Sequence, residues 1–431
     1  MSKLAILGGE KIRKKPFFQG AVIGEEEKRK VLEVLEKGIL SGFIAKKGDC
    51  FLGGECVREF EEMVKKYFNV GYAVAVNSAT AGLHIALGAC GIGPGDEVIV
   101  TPYTMSASST SILMLNAIPV FVDIEENHFC INPDILEEKI TPLTKAIVVV
   151  HLFGYPAKMD RILEIAKKYN LYVIEDCAQA PGALFKNKLV GTLGDIGVFS
   201  LNQHKTITCG EGGVVITNDG NLALRMQLIR NHGEVIVESM NVEDITNIVG
   251  FNYRMTETEA AISIGQFKRL DFLNEYRRNL AHYLTQNLSK FEGLSLPQEE
   301  KLNKHVYFVY PIKFDSYKVG VKRDTFVQAL NAEGIPFGAG YVKPTYLEPI
   351  YQRRIAYGKN GCPFNCPFYK GKLQYQKGLC PVTERMHFEE LMLTGVCRYP
   401  HTQEDMEDVV KAFEKLFQNI KELKKLEESL N

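Results

Sequence analysis

The amino-acid sequence predicts an α/β fold, with a large domain built on a mostly parallel β-sheet and a smaller α+β domain after it. Between residues 72 and 176, short runs of β-branched residues alternate with longer segments of helical periodicity, which is the pattern of consecutive βαβ units. The chain of 431 residues is also too long for one small hydrophobic core. Because ligands of such sheets bind at the carboxyl ends of the strands, functional residues are expected directly after strands.

The regular elements follow from this alternation. The predicted strands of the large domain are residues 72–76, 97–101, 119–122, 146–151, 172–175 and 214–217. Its predicted helices are one that starts near Gly24 and those at 57–68, 80–90, 106–115, 133–140 and 159–169. A long helical stretch after Glu257 is expected to link the two domains. The elements predicted beyond it are a strand within 305–314, a helix at 323–333 and an amphipathic helix from about Glu404.

Three regions are predicted along the chain. Residues 1–24, with basic charge, glycines and a proline, are expected to form an N-terminal arm that lies on another surface. Residues 25–270 form the predicted large domain and residues 271–431 the small one. Within the small domain, a segment rich in cysteine and proline, at about 355–397, is predicted to be an insertion.

The composition is that of an ordinary globular protein, with 45% apolar and 24% charged residues. A net charge of −1 gives no electrostatic basis for binding nucleic acid or an anionic membrane. No apolar run approaches the roughly 20 residues of a membrane span, and the apolar stretch near the N-terminus is too short for a secretory signal. A cytoplasmic location is therefore expected, with neither nucleic acid nor membrane as a partner.

The ten cysteines are scattered, and reduced thiols are the expectation for a chain without a secretion signal. The densest group lies in the insertion: Cys362, Cys366, Cys380 and Cys397. Thiolates are good zinc ligands, but the spacing is not a repeated two-residue pair, and proline follows three of the four. A loop of free thiols is favoured over a zinc site, and no metal is predicted.

A single lysine, Lys205, stands in the stretch FSLNQHKTITCGEGG, before a glycine-rich turn and a strand. A lysine on such a loop can reach into a pocket, lose its charge on desolvation and form a Schiff base with an aldehyde. The alternative is a solvated surface lysine. The surrounding sequence favours the first interpretation.

Residues 77–82 (NSATAG) lie at a strand-to-helix junction, where free N–H groups and hydroxyls form a phosphate site; taken alone, a plain helix cap is favoured there. Ser200 could supply a further phosphate hydroxyl.

Asp176 ends the strand YVIED, where a buried carboxylate needs a cationic partner such as a protonated pyridine nitrogen. A metal-binding or salt-bridged aspartate is the alternative. Gln179, on the same loop, could contact the ring substituents. Together these are the parts required to bind pyridoxal 5′-phosphate (PLP).

The segments resemble the DegT/DnrJ/EryC1/StrS family of PLP-dependent sugar aminotransferases from Gly24 to the C-terminus. Eight landmarks occur in the family's order: NSATAGLHIAL, GPGDEVIVTPYT, PVFVDI, HLFGYPAKMD, VIEDCAQA, GDIGVFSLNQHK, GEGG and GFNYRMTETEAA. The resemblance implies fold type I, the fold of aspartate aminotransferase, with a mostly parallel seven-stranded sheet. It also implies that Lys205 holds the internal aldimine and shuttles a proton, that Asp176 pairs with the pyridine nitrogen and that Gln179 contacts the 3-hydroxyl.

The resemblance assigns the other cofactor contacts as well. Ala79, Thr80 and Ser200 would bind the phosphate, and Asn252 would reach the phosphate of the neighbouring subunit, which implies a homodimer with shared active sites. From the sequence alone, Asn252 could also be a simple turn residue. Where the family usually stacks an aromatic ring on the cofactor, this chain has Met105, and a thioether can pack on a π-face; Tyr103 is the alternative.

The expected reaction is transamination, with glutamate or glutamine as donor and a keto sugar, nucleotide-linked, or a keto-cyclitol as acceptor. Tyr341–Tyr351 (YVKPTYLEPIY) is expected to form a wall of the substrate pocket. One alternative is PLP-dependent sugar dehydration, in which the family replaces the Schiff-base lysine by histidine; His204 is adjacent, but the count from Ser200 and from GEGG places Lys205 at that position. Another is a non-catalytic PLP-binding regulator, although no basic DNA-binding segment is visible.

Overall fold

The computed structural model describes residues 2–430. Its main feature is a seven-stranded sheet in the order β1-β7-β6-β5-β4-β2-β3. The strands are β1 (Tyr72–Val76), β2 (Glu97–Val100), β3 (Ile118–Phe121), β4 (Thr144–Val150), β5 (Tyr172–Asp176), β6 (Ile196–Ser200) and β7 (Gly213–Thr217). Only β7 runs antiparallel to its neighbours β1 and β6; the other pairs are parallel. The predicted α/β class and mostly parallel seven-stranded sheet are confirmed.

Helices cover the sheet. Those associated with it are α1 (Glu25–Lys37), α2 (Glu55–Phe68), α3 (Ala79–Ala89), α4 (Ala107–Met114), α5 (Met159–Tyr169), α6 (Gly220–Arg230) and α7 (Glu257–Lys268). Helix α3 approaches the sheet closely because position 82 is glycine: a Cβ there would lie 2.9 Å from Val198 Cγ1 and 3.0 Å from Val215 Cγ2. That contact seats the N-terminus of α3 at the end of β1, β7 and β6.

One helix prediction is wrong, and one predicted helical stretch is divided into two helices. The segment 133–140 forms turns and a short 3₁₀-helix, Glu137–Lys139, because the side chain of Asn132 accepts a hydrogen bond from the Asp134 N–H (3.0 Å) and starts a turn instead. The stretch after Glu257 is two helices rather than one, α7 and α8 (Leu270–Leu288), because Arg269 leaves helical geometry at φ −99° and ψ 2°.

A second, antiparallel sheet of four strands lies in the C-terminal part, in the order β8-β9-β11-β10. Its strands are β8 (Leu294–Ser295), β9 (Tyr310–Phe314), β10 (Gly338–Ala339) and β11 (Leu391–Thr394). The remaining helices are α9 (Ser316–Val319), α10 (Arg323–Ala332), α11 (Pro349–Gln352), α12 (Pro381–Arg385), α13 (Gln403–Gln418) and α14 (Ile420–Leu430), with a π-helical turn at Met386–Glu390. The predicted smaller C-terminal sheet domain is present.

The N-terminal arm packs on this C-terminal core. Leu4 and Phe17 are buried within its apolar cluster, and Arg13 forms ion pairs with Asp405 (2.7 Å) and Asp408 (2.9 Å). The boundaries at residues 24 and 270 remain predictions. The surface on which the arm lies belongs to the small domain of the same chain.

Residues 364–380 of the cysteine- and proline-rich insertion pack instead on the large sheet, whereas its residues 391–394 form β11 of the small sheet. The Tyr369 hydroxyl donates to Glu97 Oε1 (2.8 Å), and the Tyr375 hydroxyl donates to the Pro119 carbonyl (2.8 Å). Phe364 and Tyr351 join the apolar core beneath α3 and α4. The insertion therefore covers the β2–β3 side of the sheet. Within residues 2–430, no helix is both long enough and apolar enough to cross a membrane.

Candidate active site

The loop between β6 and β7 carries Lys205 and is held by backbone hydrogen bonds. The Leu201 N–H donates to the Gly212 carbonyl (2.9 Å) and the Gln203 N–H to the Gly210 carbonyl (2.8 Å). Gly210 has φ 94°, which glycine adopts without steric cost. The Lys205 N–H then donates to the Asn202 carbonyl (2.9 Å) and closes a turn inside the loop. The sequence thus builds a defined loop that fixes the backbone at the lysine.

The side chain of Lys205 is largely withdrawn from solvent. Its Nζ lies 4.7 Å from the centre of the Phe308 ring. Burial lowers the pKa of Lys205, and the negative charge of Asp176 partly opposes that shift. A solvated surface lysine would keep its ordinary pKa. The structure therefore does not support the alternative that Lys205 is a solvated surface residue.

Asp176, at the carboxyl end of β5, is 4% exposed. Its carboxylate accepts hydrogen bonds from the Ser108 hydroxyl (2.7 Å) and the Ala178 N–H (3.1 Å). Among residues 2–430, no lysine, arginine or histidine forms an ion pair with it. A buried carboxylate without a cation is costly, so the geometry fits an aspartate that receives its positive charge from a bound group.

Gln179 is 3% exposed, and its amide has a fixed orientation. Its Oε1 accepts a hydrogen bond from the Phe153 N–H (2.9 Å), and its Nε2 donates to the Tyr341 hydroxyl (3.3 Å). Phe153 itself has φ 58°, a conformation rare for a bulky residue and often found at functional sites. Tyr341 belongs to the predicted pocket wall, and burial raises its pKa to about 12, with Asp176 adding to the rise.

The predicted phosphate residues converge at the neighbouring end of the sheet. Ser78 caps α3 by accepting a hydrogen bond from the Ala81 N–H (3.1 Å), so Ala79 is the first helical residue. Ser200, 7% exposed, is paired with Gly213 across β6 and β7. A Cβ on Gly213 would lie only 2.8 Å from the Ala79 nitrogen. The absence of that atom leaves the helix N-terminus close to the ends of both strands, as anion binding requires.

Three predicted residues lie at the open side of this group. Thr80 and Asn252 are exposed, and Met105 is 59% exposed. Asn252 is connected to the site through its carbonyl, which accepts a hydrogen bond from Asn77 Nδ2 (3.4 Å). Their cofactor roles remain predictions.

Tyr103 does not have the open ring face that stacking on a cofactor needs. It is fully buried, makes edge contacts with Phe153, Tyr341 and His387, and accepts a hydrogen bond from the Tyr341 N–H (3.0 Å). His204 is exposed, whereas the adjacent Lys205 reaches the interior. The dehydratase alternative therefore gains no support from the position of His204.

The four insertion cysteines do not converge on one point. Cys380 is buried in the core on the large sheet and Cys397 in the core of the small sheet; only Cys362 and Cys366 are in contact. In the described part of the chain, one group could geometrically hold a metal: His151, Glu175 and Cys177. There Glu175 already accepts hydrogen bonds from three backbone N–H groups and from His151 Nε2, so its oxygens are occupied by protein donors.

Two residues at the site were missed by the sequence analysis. Ser108, the donor to Asp176, lies in the serine-rich run SASSTS at the start of α4, which carried only a helix prediction. Phe308, whose ring faces Lys205, lies in the apolar segment HVYFVY, which carried only a strand prediction. A cluster of hydroxyls after a strand is a usable signal for the first; no local pattern marks the second.

Together, a half-buried amine of lowered pKa, a buried carboxylate without an ion-pair partner, and a helix N-terminus with a nearby hydroxyl can bind a phosphorylated aldehyde that carries a basic ring. This constellation on this fold defines a fold type I transferase. Comparisons with known proteins agree. The profile of the DegT/DnrJ/EryC1/StrS aminotransferase family matches residues 25–366. The chain belongs to this PLP-dependent family and is an aminotransferase-family enzyme.

Individual relatives are similar over most of their length. GDP-perosamine synthase of Caulobacter vibrioides is 40% identical over 299 residues, 69% of this chain and 79% of that protein. L-glutamine:2-deoxy-scyllo-inosose aminotransferase of Streptoalloteichus tenebrarius is 33% identical and covers 98% of this chain and 99% of its own. The X-ray structure of the aminotransferase from Psychrobacter cryohalolentis superposes with a TM-score of 0.80 at 32% identity, over 94% of this chain and 100% of that one.

Proposed function

We propose that this enzyme transfers an amino group from glutamate or glutamine to the keto carbon of a sugar or cyclitol, with PLP bound at Lys205. One observation carries the proposal: the half-buried Lys205, whose pKa is lowered, lies near Asp176, a buried carboxylate that forms no ion pair with a side chain among residues 2–430. The relatives support the reaction class, since one is named for an L-glutamine donor with a scyllo-inosose acceptor and another for the synthesis of a GDP-linked sugar.

The described residues fit PLP. Lys205 would hold the aldehyde carbon, Asp176 the ring nitrogen, and the N-terminus of α3 with Ser200 the phosphate. When bound, PLP supplies an electron sink that makes the Cα–H bond of the amino donor acidic. The lowered pKa of Lys205 raises the neutral fraction of its amine, so Nζ can accept that proton and return it.

The surrounding residues orient these groups. Ser108 and Ala178 fix the Asp176 carboxylate, and the Phe153 N–H fixes Gln179 so that its Nε2 faces Tyr341. Donors that are held in place before the reaction cost no reorganisation during it. These contacts keep the charged and hydrogen-bonding groups at fixed positions while substrates exchange.

A homodimer is part of the proposal. The exposed positions of Thr80, Met105 and Asn252 leave one side of the site open in a single chain. A second copy that covers this side would exclude water and complete the phosphate contacts. The acceptor then enters against the wall formed by Tyr341–Tyr351.

Reduction with borohydride tests where PLP is held. After incubation with PLP and reduction, we expect a cofactor adduct on the peptide that contains Lys205, in the native protein and in the control Lys145→Ala, whose lysine is exposed. Lys205→Ala should carry no adduct there and should not turn over. An adduct confined to other lysines, or undiminished turnover by Lys205→Ala, would contradict the proposal.

The acceptor is tested by parallel assays. Glutamate and glutamine are each combined with nucleotide-linked keto sugars and with keto-cyclitols, and the aminated products are measured by mass spectrometry. Amination of one acceptor class by either donor supports the proposal. A cofactor that no amino donor converts to its amino form argues against transamination.

A further inference from the structure

A tight turn in the insertion brings two cysteines together. Tyr357 and Cys362 exchange backbone hydrogen bonds of 2.8 and 3.1 Å. The Cys366 N–H then donates to the Pro363 carbonyl (3.2 Å) and closes the next turn. These hydrogen bonds fix the backbone positions of both cysteines relative to each other.

The two sulfur atoms, Cys362 Sγ and Cys366 Sγ, lie 2.8 Å apart. Both residues are half-buried, so solvent reaches them. No third metal ligand joins them among residues 2–430, since the cluster of three potential ligands found there involves His151, Glu175 and Cys177. A zinc site needs four ligands, or three and a water, whereas a disulfide needs only two thiols in contact.

We infer that Cys362 and Cys366 are a site of reversible oxidation, at which a peroxide converts the two thiols into an intramolecular disulfide. One thiolate attacks the peroxide O–O bond and becomes a sulfenic acid, with release of one water. The second thiol displaces the sulfenic oxygen as another water, so two S–H bonds break, one S–S bond forms, and two electrons reduce the peroxide. A dithiol reductant then restores the two thiols: it gives up two electrons and two protons, the S–S bond of the protein breaks, and the reductant becomes a disulfide itself.

The other cysteines lack this arrangement. Cys50 is exposed and Cys56 and Cys90 are half-buried, but within residues 2–430 none of the three is in contact with another cysteine sulfur. Five are buried away from solvent: Cys130, Cys177, Cys209, Cys380 and Cys397. The shared hydrogen bond raises the pKa of the Cys362 thiol, so the reaction is expected to be faster in alkaline than in neutral buffer.

The disulfide would fix a contact of Tyr351, the last residue of the predicted pocket wall, which is buried in the core on the large sheet. Phe364, which lies between the two cysteines, is 4% exposed, and its ring centre is 6.2 Å from that of Tyr351. The Tyr351 hydroxyl donates to Ser109 Oγ on α4 (2.8 Å). Oxidation would therefore fix the turn that holds Phe364 against Tyr351.

The sequence offers a direct test. Trypsin cleavage after Lys359 and Lys370 releases a peptide, residues 360–370, that contains both cysteines and no other. The native protein is treated with hydrogen peroxide, then denatured and alkylated with N-ethylmaleimide. We expect this peptide unalkylated and two hydrogen atoms lighter than the dithiol, and alkylated at both cysteines after treatment with dithiothreitol.

Two variants and one further measurement complete the test. Cys366→Ser should abolish the lighter peptide, whereas Cys50→Ser should leave it unchanged. The oxidised protein, still folded, should be cleaved by trypsin after Lys359 more slowly than the reduced protein. Full alkylation of both cysteines after peroxide, or sulfinic acid at Cys362 in place of the disulfide, would overturn the inference; equal cleavage rates would overturn the effect on the turn. These readouts do not depend on PLP or on turnover.

Discussion

Gln179 Nε2 lies 3.3 Å from the Tyr341 hydroxyl, a contact between residues 162 positions apart in the chain. Because the Phe153 N–H already binds Gln179 Oε1, the amide can present only its NH₂ group to Tyr341 and to the space beside Asp176. The Tyr341 backbone is fixed in turn by the buried hydroxyl of Tyr103. The pocket wall of the small domain thus orients a predicted cofactor residue of the large one.

Tyr341→Phe should weaken PLP binding and slow turnover. Loss of the hydroxyl leaves one Gln179 N–H without its acceptor, at a cost of about 1 kcal/mol, or roughly a fivefold effect. Absorbance titration with PLP gives the dissociation constant, and a transamination assay gives the rate. The control Tyr317→Phe, at a fully exposed position, should leave both unchanged. Identical PLP affinity in Tyr341→Phe and the native protein would show that the hydroxyl does not hold Gln179.

The strand-end residues could be predicted because each is marked by its own neighbours. Asp176 follows a β-branched run, Ser200 follows another, and Lys205 precedes a glycine turn, so the rule that sites lie at strand ends sufficed. Contacts that join distant segments could not be predicted. The facing of Phe308 toward Lys205 and the pairing of Gln179 with Tyr341 depend on how the small domain lies against the large one, which no local pattern encodes.

Local competition also explains the wrong helix prediction. The segment 133–140 has helical periodicity, but the side chain of Asn132 offers a hydrogen bond to the backbone at its start, and a turn forms instead. The insertion was predicted from composition, yet its Tyr369 and Tyr375 are buried against the large sheet, where they donate to Glu97 and to the Pro119 carbonyl. Periodicity identifies a buried face but not the surface that covers it.

Mixed dimers should reveal whether active sites are shared. If Asn252 acts in the neighbouring subunit, Lys205→Ala and Asn252→Ala are each impaired as homodimers, but a heterodimer contains one site with both native residues. Statistical reassembly should then restore about a quarter of native activity, since half of the dimers are mixed and each has one intact site of two. The measurement is turnover after joint unfolding and refolding of the two variants.

The mixed-dimer result can also contradict the proposal. If Asn252 serves its own subunit, no site in the mixture is native, and activity stays at the level of the homodimers. Native protein carried through the same refolding is the control for losses. A monomer by light scattering at assay concentration would exclude shared sites directly.

Glu175→Gln should destabilise the large domain. The carboxylate accepts hydrogen bonds from the N–H groups of Gly191 (2.8 Å), Leu193 (2.7 Å) and Gly194 (2.7 Å) and from His151 Nε2 (2.9 Å). An amide places an NH₂ group against these donors and leaves at least one unpaired, at a cost of about 2–4 kcal/mol. Thermal unfolding should show a lower Tm.

The control variant is Glu164→Gln, a substitution on the exposed side of α5. The Tm of this control should equal that of the native protein. If Glu175→Gln is as stable as Glu164→Gln, the carboxylate does not stabilise the loop at 191–194. Added zinc should not raise the Tm of the native protein. A zinc-dependent increase would show that His151, Glu175 and Cys177 bind metal.

His305 should make the protein less stable as the pH is lowered. Over part of the acidic range, its imidazole is protonated in the unfolded chain but neutral in the folded chain. His305 is 3% exposed, and its Nδ1 accepts a hydrogen bond from the Tyr307 N–H (3.0 Å). Burial lowers the pKa of His305 from 6.5 to about 3.

Between these two pKa values the unfolded chain binds one more proton than the folded chain, so the free energy of unfolding decreases as pH falls from 6.5 toward 3. Above pH 6.5 the imidazole is neutral in both states and contributes no pH dependence. His305→Gln, which has no imidazole to protonate, should therefore show a shallower loss of stability on acidification than the native protein, as measured by urea unfolding at a series of pH values. His204→Gln, at an exposed position, should follow the native curve. Parallel curves for His305→Gln and the native protein would show that His305 is not the group whose protonation favours the unfolded chain.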